Sequence, residues 1–416
     1  MIEHPQSGGS AGGPVMEWAN ALSTSPSLEG ALKEVVAQLQ GRLTTAPDLG
    51  LVFISSSFTS EFARLLPLLQ ELMPLPVVVG CSGGGIVGMD DQGQPLELEE
   101  VPALSLTVAA LPGVSVRPFH LAGDELPDLD SPPAAWAELI GVAPEDNPQF
   151  ILMADPFSSN ITDLLQGLDF AYPSGVKIGG LASVDGFNRH SGLFCDRTYY
   201  TEGMVGVALS GPVVLDPIVA QGCRPIGPIY RVDKAERNIL LALGEPGQEG
   251  ARPPLELLQA LFDTLPETDR ALAQRSLFIG VAQDSFKLSL DQGDFLVRTL
   301  LGVDPKIGAI AVGDRLRPGQ RVQFHLRDAL TSATDLESLL QRYQGKATTP
   351  AGALMFACMG RGQGLYDQPN FDSGLFAQYL PGVPLGGFFC GGEIGPVGQT
   401  TFLHGFTSVF GICRQP

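Results

Sequence analysis

Runs of lysine and arginine are missing from this sequence, as are an unbroken apolar span, a Cys-x-x-Cys pair and a basic leader followed by an apolar stretch. The 25 basic residues against 45 acidic ones leave a net charge of −20. Phosphate backbones and anionic bilayers both need clustered Lys and Arg, so nucleic acid and membrane surfaces are poor partners. The most apolar stretch, MVGVALSGPVVLDPIVA, is broken by Gly211, Pro212, Asp216 and Pro217, so it is no membrane span of about 20 residues. The opening MIEHPQSGGSAGGP lacks a secretory pattern and reads as the start of a flexible tail, residues 1–25. The expectation is a soluble, cytoplasmic protein. Six cysteines, Cys81, Cys195, Cys223, Cys358, Cys390 and Cys413, are scattered without zinc-ligand spacing. They are expected to be free thiols, mostly buried, with no metal and no cofactor.

What the chain does have is glycine, 51 residues, proline, 34 residues, and 44% apolar residues spread along its 416 positions. That is a globular composition with many tight turns, long enough for more than one domain. One pattern recurs. A short strand at Leu51 to Ile54 is followed by small polar residues, then by Phe62, Leu65, Leu66, Leu69 and Leu72 at helical spacing, with Thr59 or Ser60 as the expected N-cap. Pro74 and Pro76 stop that helix, and VVVGCSGGG follows. The same order appears in FILMADPFSSNITDLLQGLDFAYPSGVKIGGLAS, with Asn160 and Asp163 at capping-box spacing, and in ALMFACMGRGQGLYDQPNFDSGLFAQYLPGVPLGGFFCGGEIGP.

Three copies of strand, helix, proline, strand and glycine turn predict βαβ-like units in an internally duplicated chain. ALSLTVAALPGVSVRPFHL and MVGVALSGPVVLDPIVAQG carry no helix and suit antiparallel additions to the same sheets. PLELLQALFDTL is a further helix with Pro254 in its first turn. The fold expected is α/β (α+β): two related, layered mixed β-sheet domains with outer helices, residues 26–220 and 221–416.

The stretch VVVGCSGGGIVG literally contains both G-x-G-x-x-G and G-x-S-x-G. Dinucleotide sites and nucleophile elbows each require a helix directly after the turn, and MDDQGQPLELEE has no helical period. Cys81 reads as a packed thiol, since no cation or helix N-terminus stands near it in sequence. Glycine turns at strand ends leave backbone N–H groups bare, and α/β sheets favour ligands at the carboxyl ends of strands. Turns holding Cys81, Ser82, Gly83 and Gly84; Ser183; Arg361 and Gly362; and Gly391, Gly392 and Glu393 are therefore the candidate ligand-binding set. Arg361 can clamp a carboxylate and Glu393 can receive an ammonium, or the two can pair with each other. His404 reads as a hydrogen-bonded strand histidine, Arg224 as an ion-paired junction residue and Asp155 as a backbone cap.

Several of these stretches, VVVGCSGGGIVG, KIGGLASVDG, AQGCRPIGPIYRVDKAERNILLALGEP, FLVRTLLGVDPKIGAIAVGDRLRPGQRVQFHLRDA, MFACMGRGQGLYD and PLGGFFCGGEIGPVGQTTFLHGFTSVFGI, resemble the FIST family, named for F-box and intracellular signal transduction proteins. The first two are similar to its N-terminal domain and the others to its C-terminal domain. The resemblance implies a sensory role with a small polar ligand, amino acids among the candidates, and a separate signalling output protein as partner. A protein-interaction adaptor without a metabolite is the alternative. A hydrolase or acyl-transfer enzyme using Cys81 or Ser82 is the third reading.

Overall fold

Each of the three sequence repeats supplies the two middle strands of one six-stranded sheet, and all three sheets have the same strand order. The structure is a computed structural model that describes residues 14–157, 160–183, 191–248, 250–284, 287, 289–290, 292–346 and 348–416. In the first sheet the order is Glu17–Ser23, Leu104–Ala110, Leu49–Ser55, Val77–Gly83, Leu193–Cys195 and Thr198–Tyr200. In the second it is Ser115–Leu121, Met204–Ser210, Gln149–Ala154, Lys177–Leu181, Glu393–Val397 and Thr400–His404. The third runs Val214–Ala220, Ser408–Arg414, Gly352–Cys358, Leu385–Cys390, Gly85–Met89 and Pro95–Glu99.

The two middle strands of each sheet are parallel and come from one βαβ unit. Their register aligns Gly80 with Val52, Gly179 with Leu152 and Gly387 with Met355. At all three positions a Cβ would lie within 2 Å of the facing carbonyl oxygen, so only glycine permits the approach. This alignment makes Ser82, Leu181 and Phe389 equivalent, and likewise Ser55, Asp155 and Cys358 one position further along.

The last two strands of each sheet belong to another unit. The first unit's Gly85–Met89 hairpin completes the third sheet, the third unit's Glu393–Val397 hairpin completes the second, and the second unit's Leu193–Cys195 completes the first. Where the three chains leave their sheets, they meet. Gly84 N–H donates to Phe389 O at 3.0 Å, Gly391 N–H to Leu181 O at 3.0 Å and Ser183 N–H to Ser82 O at 3.2 Å. Donors and acceptors occupy equivalent positions, so the bonds form a closed three-membered ring about a pseudo-threefold axis.

A shared core fills the space between the sheets, with Phe53, Cys81, Met153, Ile178, Phe356, Phe388 and Cys390 contributed by all three. Helices cover the outer faces: Phe62–Leu72, Ile161–Ala171 and Phe371–Tyr379 each bury their apolar side on their own unit. The first runs where the apolar period places it, but Ser56–Glu61 coils into a 3₁₀ turn, so neither Thr59 nor Ser60 caps it. Asn160 makes no cap bond; its side-chain amide donates to Asp163 instead. Both antiparallel additions are present, and each spans two sheets, Leu104–Ala110 with Ser115–Leu121 and Met204–Ser210 with Val214–Ala220.

A fourth sheet is inserted between Val214–Ala220 and Gly352–Cys358. Cys223–Glu236 pairs with Arg321–Arg327 on one side and with Ile239–Gly244 on the other. Through Leu277–Ala282, Phe295–Asp304 and Ala309–Val312 the order closes into an antiparallel barrel, with Ala251–Arg252 appended. Its core includes Ile226, Val232, Leu240, Ile279 and Phe324, together with Leu257 and Leu261 of the helix Pro254–Thr264, where Pro254 takes the first position. Mixed sheets with outer helices are thus present as expected. The division at 220/221 falls at the entry to the barrel, and the chain crosses it again through the exchanged hairpins. Of the tail expected over residues 1–25, residues 1–13 lie outside the described residues. Glu17–Ser23 corrects the rest: it is an edge strand with Trp18, Ala21 and Leu22 buried, because it completes the first sheet beside Leu104–Ala110. No helix of the described residues is long and apolar enough to cross a membrane.

Candidate functional site

Three of the four glycine turns do meet, but they meet by bonding to one another. The amides of Gly84, Ser183 and Gly391 are all taken by the central ring. Ser82 is buried; its hydroxyl donates to Ser183 O and accepts Gly192 N–H, both at 3.0 Å. Ser183 donates its hydroxyl to Phe389 O at 2.8 Å. Gly83 packs against Phe388, Gly84 against Met359, and Gly392 against Leu181 and Leu403. Cys81 is wholly buried, and burial pushes its thiol well above the usual range. Neither Cys81 nor Ser82 is accessible to a substrate in this conformation.

Arg361 and Glu393 do not pair with each other. Arg361 is fully buried, and its Nε and Nη2 form a two-bond fork with Asp372 at 2.6 and 3.0 Å. Nη2 also donates to Tyr366 Oη at 2.6 Å, and Tyr366 in turn donates to Asp372 at 2.9 Å. Burial opposes the guanidinium charge, but Asp372 and Tyr366 outweigh it and hold Arg361 charged. Its Nη1 has no partner among the described residues and stands 2.8 Å from where a Cβ on Gly222 would lie. Glu393 is also fully buried; Oε2 accepts Thr407 N–H at 3.0 Å. Burial pushes its carboxyl up to about 8. Glu97 reaches about 8 by burial and then by the charge of Asp372; its Oε1 accepts Ser373 N–H at 2.6 Å.

The fourth turn, Met359–Gly364, forms the wall of a cavity of about 570 Å³ at the junction of barrel and third sheet. Arg327 from the end of a barrel strand, and Glu99 and Glu100 from the first unit's exchanged hairpin, complete the lining. Arg327 packs over the rings of Phe406 and Phe278, 5.0 and 5.9 Å from their centroids, and its Nε and Nη1 are buried without a hydrogen-bond partner among the described residues. Such packing favours a guanidinium and holds it in one place. Glycine makes room on the loop: a Cβ at Gly360 would meet Arg327 at 2.7 Å, and one at Gly362 would collide with the Glu99 carboxylate. The positive and negative groups therefore flank one loop, two residues apart. Glu99 accepts Gln363 N–H at 2.9 Å, and Glu100 holds a left-handed φ of 59°. A pocket where domains meet, with few and opposed charges, suits a small polar ligand.

Beside this wall stands Cys358, the one half-buried cysteine; the other five are buried. Burial and then the neighbouring Glu393 push its thiol up to about 11, while the backbone amides of Gly360 and Phe406 act in the opposite direction. Phe406 has a left-handed φ of 65°, unusual for an aromatic residue. His404 is buried, bonded to Gly395 O at 3.0 Å, and burial pushes it down to about 4. Arg224 is ion-paired with Asp269 and Asp328, and Asp155 accepts from Phe157 N–H and Ser191 Oγ. No group of three or more His, Cys, Asp or Glu among the described residues is placed to hold a metal ion.

Sequence reasoning thus picked the turn that lines the cavity and the residues of the ring, but missed Arg327, Glu99, Glu100 and Cys358. Cys358 had a signal, as the last residue of a strand entering a glycine turn. Arg327 also ends a strand, in FHLRDA. Glu99 and Glu100 had none, because they arrive from more than 250 positions away in sequence.

The FIST N domain matches residues 48–245 and the FIST C domain residues 254–396. An uncharacterized protein of Mycobacterium tuberculosis is 34% identical over 392 residues, covering 93% of this chain and 97% of that protein. One of Mycobacterium bovis is 32% identical, covering 93% and 96%. An F-box/LRR-repeat protein of Arabidopsis thaliana is 31% identical over 115 residues, 24% of this chain and 22% of that one. Among solved structures, cyanuric acid hydrolase from A. caulinodans aligns with a TM-score of 0.36 and 9% identity, over 96% of this chain and 100% of its own.

Proposed function

Because the chain belongs to the FIST family, whose domains are associated with signal transduction, we propose that it is a cytoplasmic sensory protein that binds a small zwitterion, an amino acid first among candidates, in the cavity beside Met359–Gly364. The observation that carries this reading is Arg327. A guanidinium with unsatisfied donors is costly to leave buried, and a carboxylate is the group that satisfies it most strongly. Glu99 and Glu100 on the same cavity then receive the ammonium. The clamp and the ammonium site assigned in sequence to Arg361 and Glu393 pass to these residues, and the Arg361–Asp372 pair becomes the support that fixes the loop. Titration calorimetry against the proteinogenic amino acids tests this. Binding of at least one member, lost in Arg327→Gln at unchanged melting temperature, is the expected result. Failure of the whole panel, or unchanged binding in the variant, refutes it.

A second reading, a protein-interaction adaptor, draws on one feature of the barrel. The hairpin of Phe295–Asp304 and Ala309–Val312 exposes Leu301, Val303 and Ile307, each more than half accessible. The two readings are compatible if the exposed hairpin is where a separate output protein docks.

A further inference from the structure

We propose that the ligand of the cavity beside Met359–Gly364 is an amino acid with a cationic side chain, of the lysine or arginine kind, and that Glu100 reads the second positive group. The inference rests on the reading of Arg327 as the carboxylate anchor, and narrows it to one class of ligand.

The charges of the lining decide the class. Glu99 and Glu100 supply two carboxylates, and neither is bonded to a cation among the described residues. Arg327 and Arg361 supply two guanidiniums, but buried Asp372 already matches Arg361 through a two-bond fork of 2.6 and 3.0 Å. Two free carboxylates against one free guanidinium leave the lining with one negative charge in excess. A zwitterion with a neutral side chain does not remove that excess, and one further positive group does. An acidic side chain would bring like charge to the same carboxylates, which repel it. The chain's net charge of −20 adds to the preference at longer range.

Local geometry divides the work between the two carboxylates. Successive residues of a strand ordinarily point to opposite faces. Glu99 ends the strand Pro95–Glu99, and the left-handed φ of 59° at Glu100 breaks that alternation, so consecutive carboxylates line one cavity. The Glu99 carboxylate lies against Gly362 and accepts Gln363 N–H at 2.9 Å, on the loop that Arg327 approaches at Gly360. Glu99 is therefore the partner for the α-ammonium, beside the carboxylate that Arg327 holds. Glu100 is exposed, and stands at the rim where the end of a long side chain arrives. Met359, about half exposed, is the one apolar side chain among the lining residues. An unbranched thioether suits the methylene stem of lysine or arginine. It offers little cover to the side chain of leucine or phenylalanine, whose binding draws on apolar burial.

Two nearly isosteric pairs isolate the second charge: lysine against norleucine, and arginine against citrulline. Each is titrated into the full chain by calorimetry at neutral pH, first at low and then at high salt. In at least one pair the cationic member should bind about tenfold or more tightly than the neutral one, the low end of what a hydrogen bond to a charged group contributes. Salt should shrink that ratio, because Glu100 is open to solvent. These pairs are read on the parent chain, so the test does not depend on the folding of any variant. In Glu100→Gln the ratio should fall to about one while the neutral member binds as before. Cadaverine, which keeps both ammonium groups and lacks the carboxylate, should bind about tenfold or more weakly than lysine, and Arg327→Gln should erase that difference. Equal affinity within both pairs, tighter binding of glutamate than of lysine and arginine, or a cation preference that survives Glu100→Gln overturns the proposal. If one of these occurs while a neutral or acidic amino acid binds and requires Arg327, the cationic class falls and the sensory reading stands. If no amino acid binds, or cadaverine binds as tightly as lysine, both fall.

Discussion

Replacing Arg361 with alanine should destabilise the protein and not merely empty a binding site. The sequence leaves this residue either clamping a ligand or pairing with Glu393, and under the clamp its loss leaves a folded, non-binding protein. In the structure its guanidinium is, among the described residues, the sole cation bonded to Asp372, which is itself buried, and it also holds Tyr366. Removing one partner of a buried, hydrogen-bonded ion pair costs about 3–5 kcal/mol, because the other charge is left without compensation. At about 2.1 cal/mol/K of unfolding entropy per residue, a chain of 416 residues loses about 1 °C for each 0.9 kcal/mol if it melts as one unit. Arg361→Ala should therefore lower the melting temperature by about 3–6 °C. Differential scanning calorimetry and urea titration at one pH measure it. The double variant Arg361→Met, Asp372→Leu should recover much of the loss, since an apolar pair leaves no orphaned charge. An Arg361→Ala protein that melts within about 1 °C of the parent, below the least cost expected, with ligand binding abolished, would refute the reasoning and restore the clamp.

Gly179→Ala places a Cβ 1.8 Å from Leu152 O at a φ of 150°, and should cost about 3 kcal/mol or more in urea titrations. Gly364→Ala meets nothing within 4 Å and should change stability by under about 0.5 kcal/mol; equal effects from the two would count against the close approach of the strands. Ser82→Ala strips the hydroxyl that bridges Ser183 O and Gly192 N–H, and should cost about 1–3 kcal/mol while the chain stays folded by circular dichroism. The last prediction concerns pH. Glu97, facing Asp372, Glu99 and Tyr366, has its carboxyl raised to about 8 from 4.5. The native chain therefore keeps a proton that the unfolded chain has lost, and this contribution is full below about 4.5 and gone above about 8. Melting temperature should fall between pH 5 and pH 8.5, and less steeply in Glu97→Gln; identical slopes would show that this carboxyl does not titrate there.

How much of this was legible depends on the range over which each feature is decided. Phe62–Leu72 was readable because one helix face repeats within a dozen residues, whatever it packs on. The three repeats were readable because each needs glycine at the same point, Gly80, Gly179 and Gly387, where a facing carbonyl leaves no room for a side chain. The ends of helices were read less well: a 3₁₀ turn replaced the expected serine or threonine cap before Phe62, and Asn160 turned its amide to Asp163. Arg361 was singled out as the charge among glycines, but its partner Asp372 lies on a helix whose pattern advertises only apolar residues. Glu99 came from a hairpin whose destination is set by another unit's sheet edge, and no local spacing encodes that choice. The bare amides expected in the turns were real features of the sequence. Folding spent them on one another at the axis and left the neighbouring loop, Met359–Gly364, as the wall of the cavity.

The exchanged hairpins carry a consequence for how this protein can be divided. Hydrogen bonds across the seams run first to third, third to second and second to first, so the linkage is a loop with no free end. A fragment stopped near residue 245 forfeits the strands that finish its second layer and presents its own leftover ribbon to water. Separately produced halves are thus each aggregation-prone, yet complementary, and a chain nicked at an exposed bend can hold together with its backbone severed. Motion admitted at Glu99 would likewise reach the axis through Gly85, its partner across the hairpin, and through Gly84 next to it.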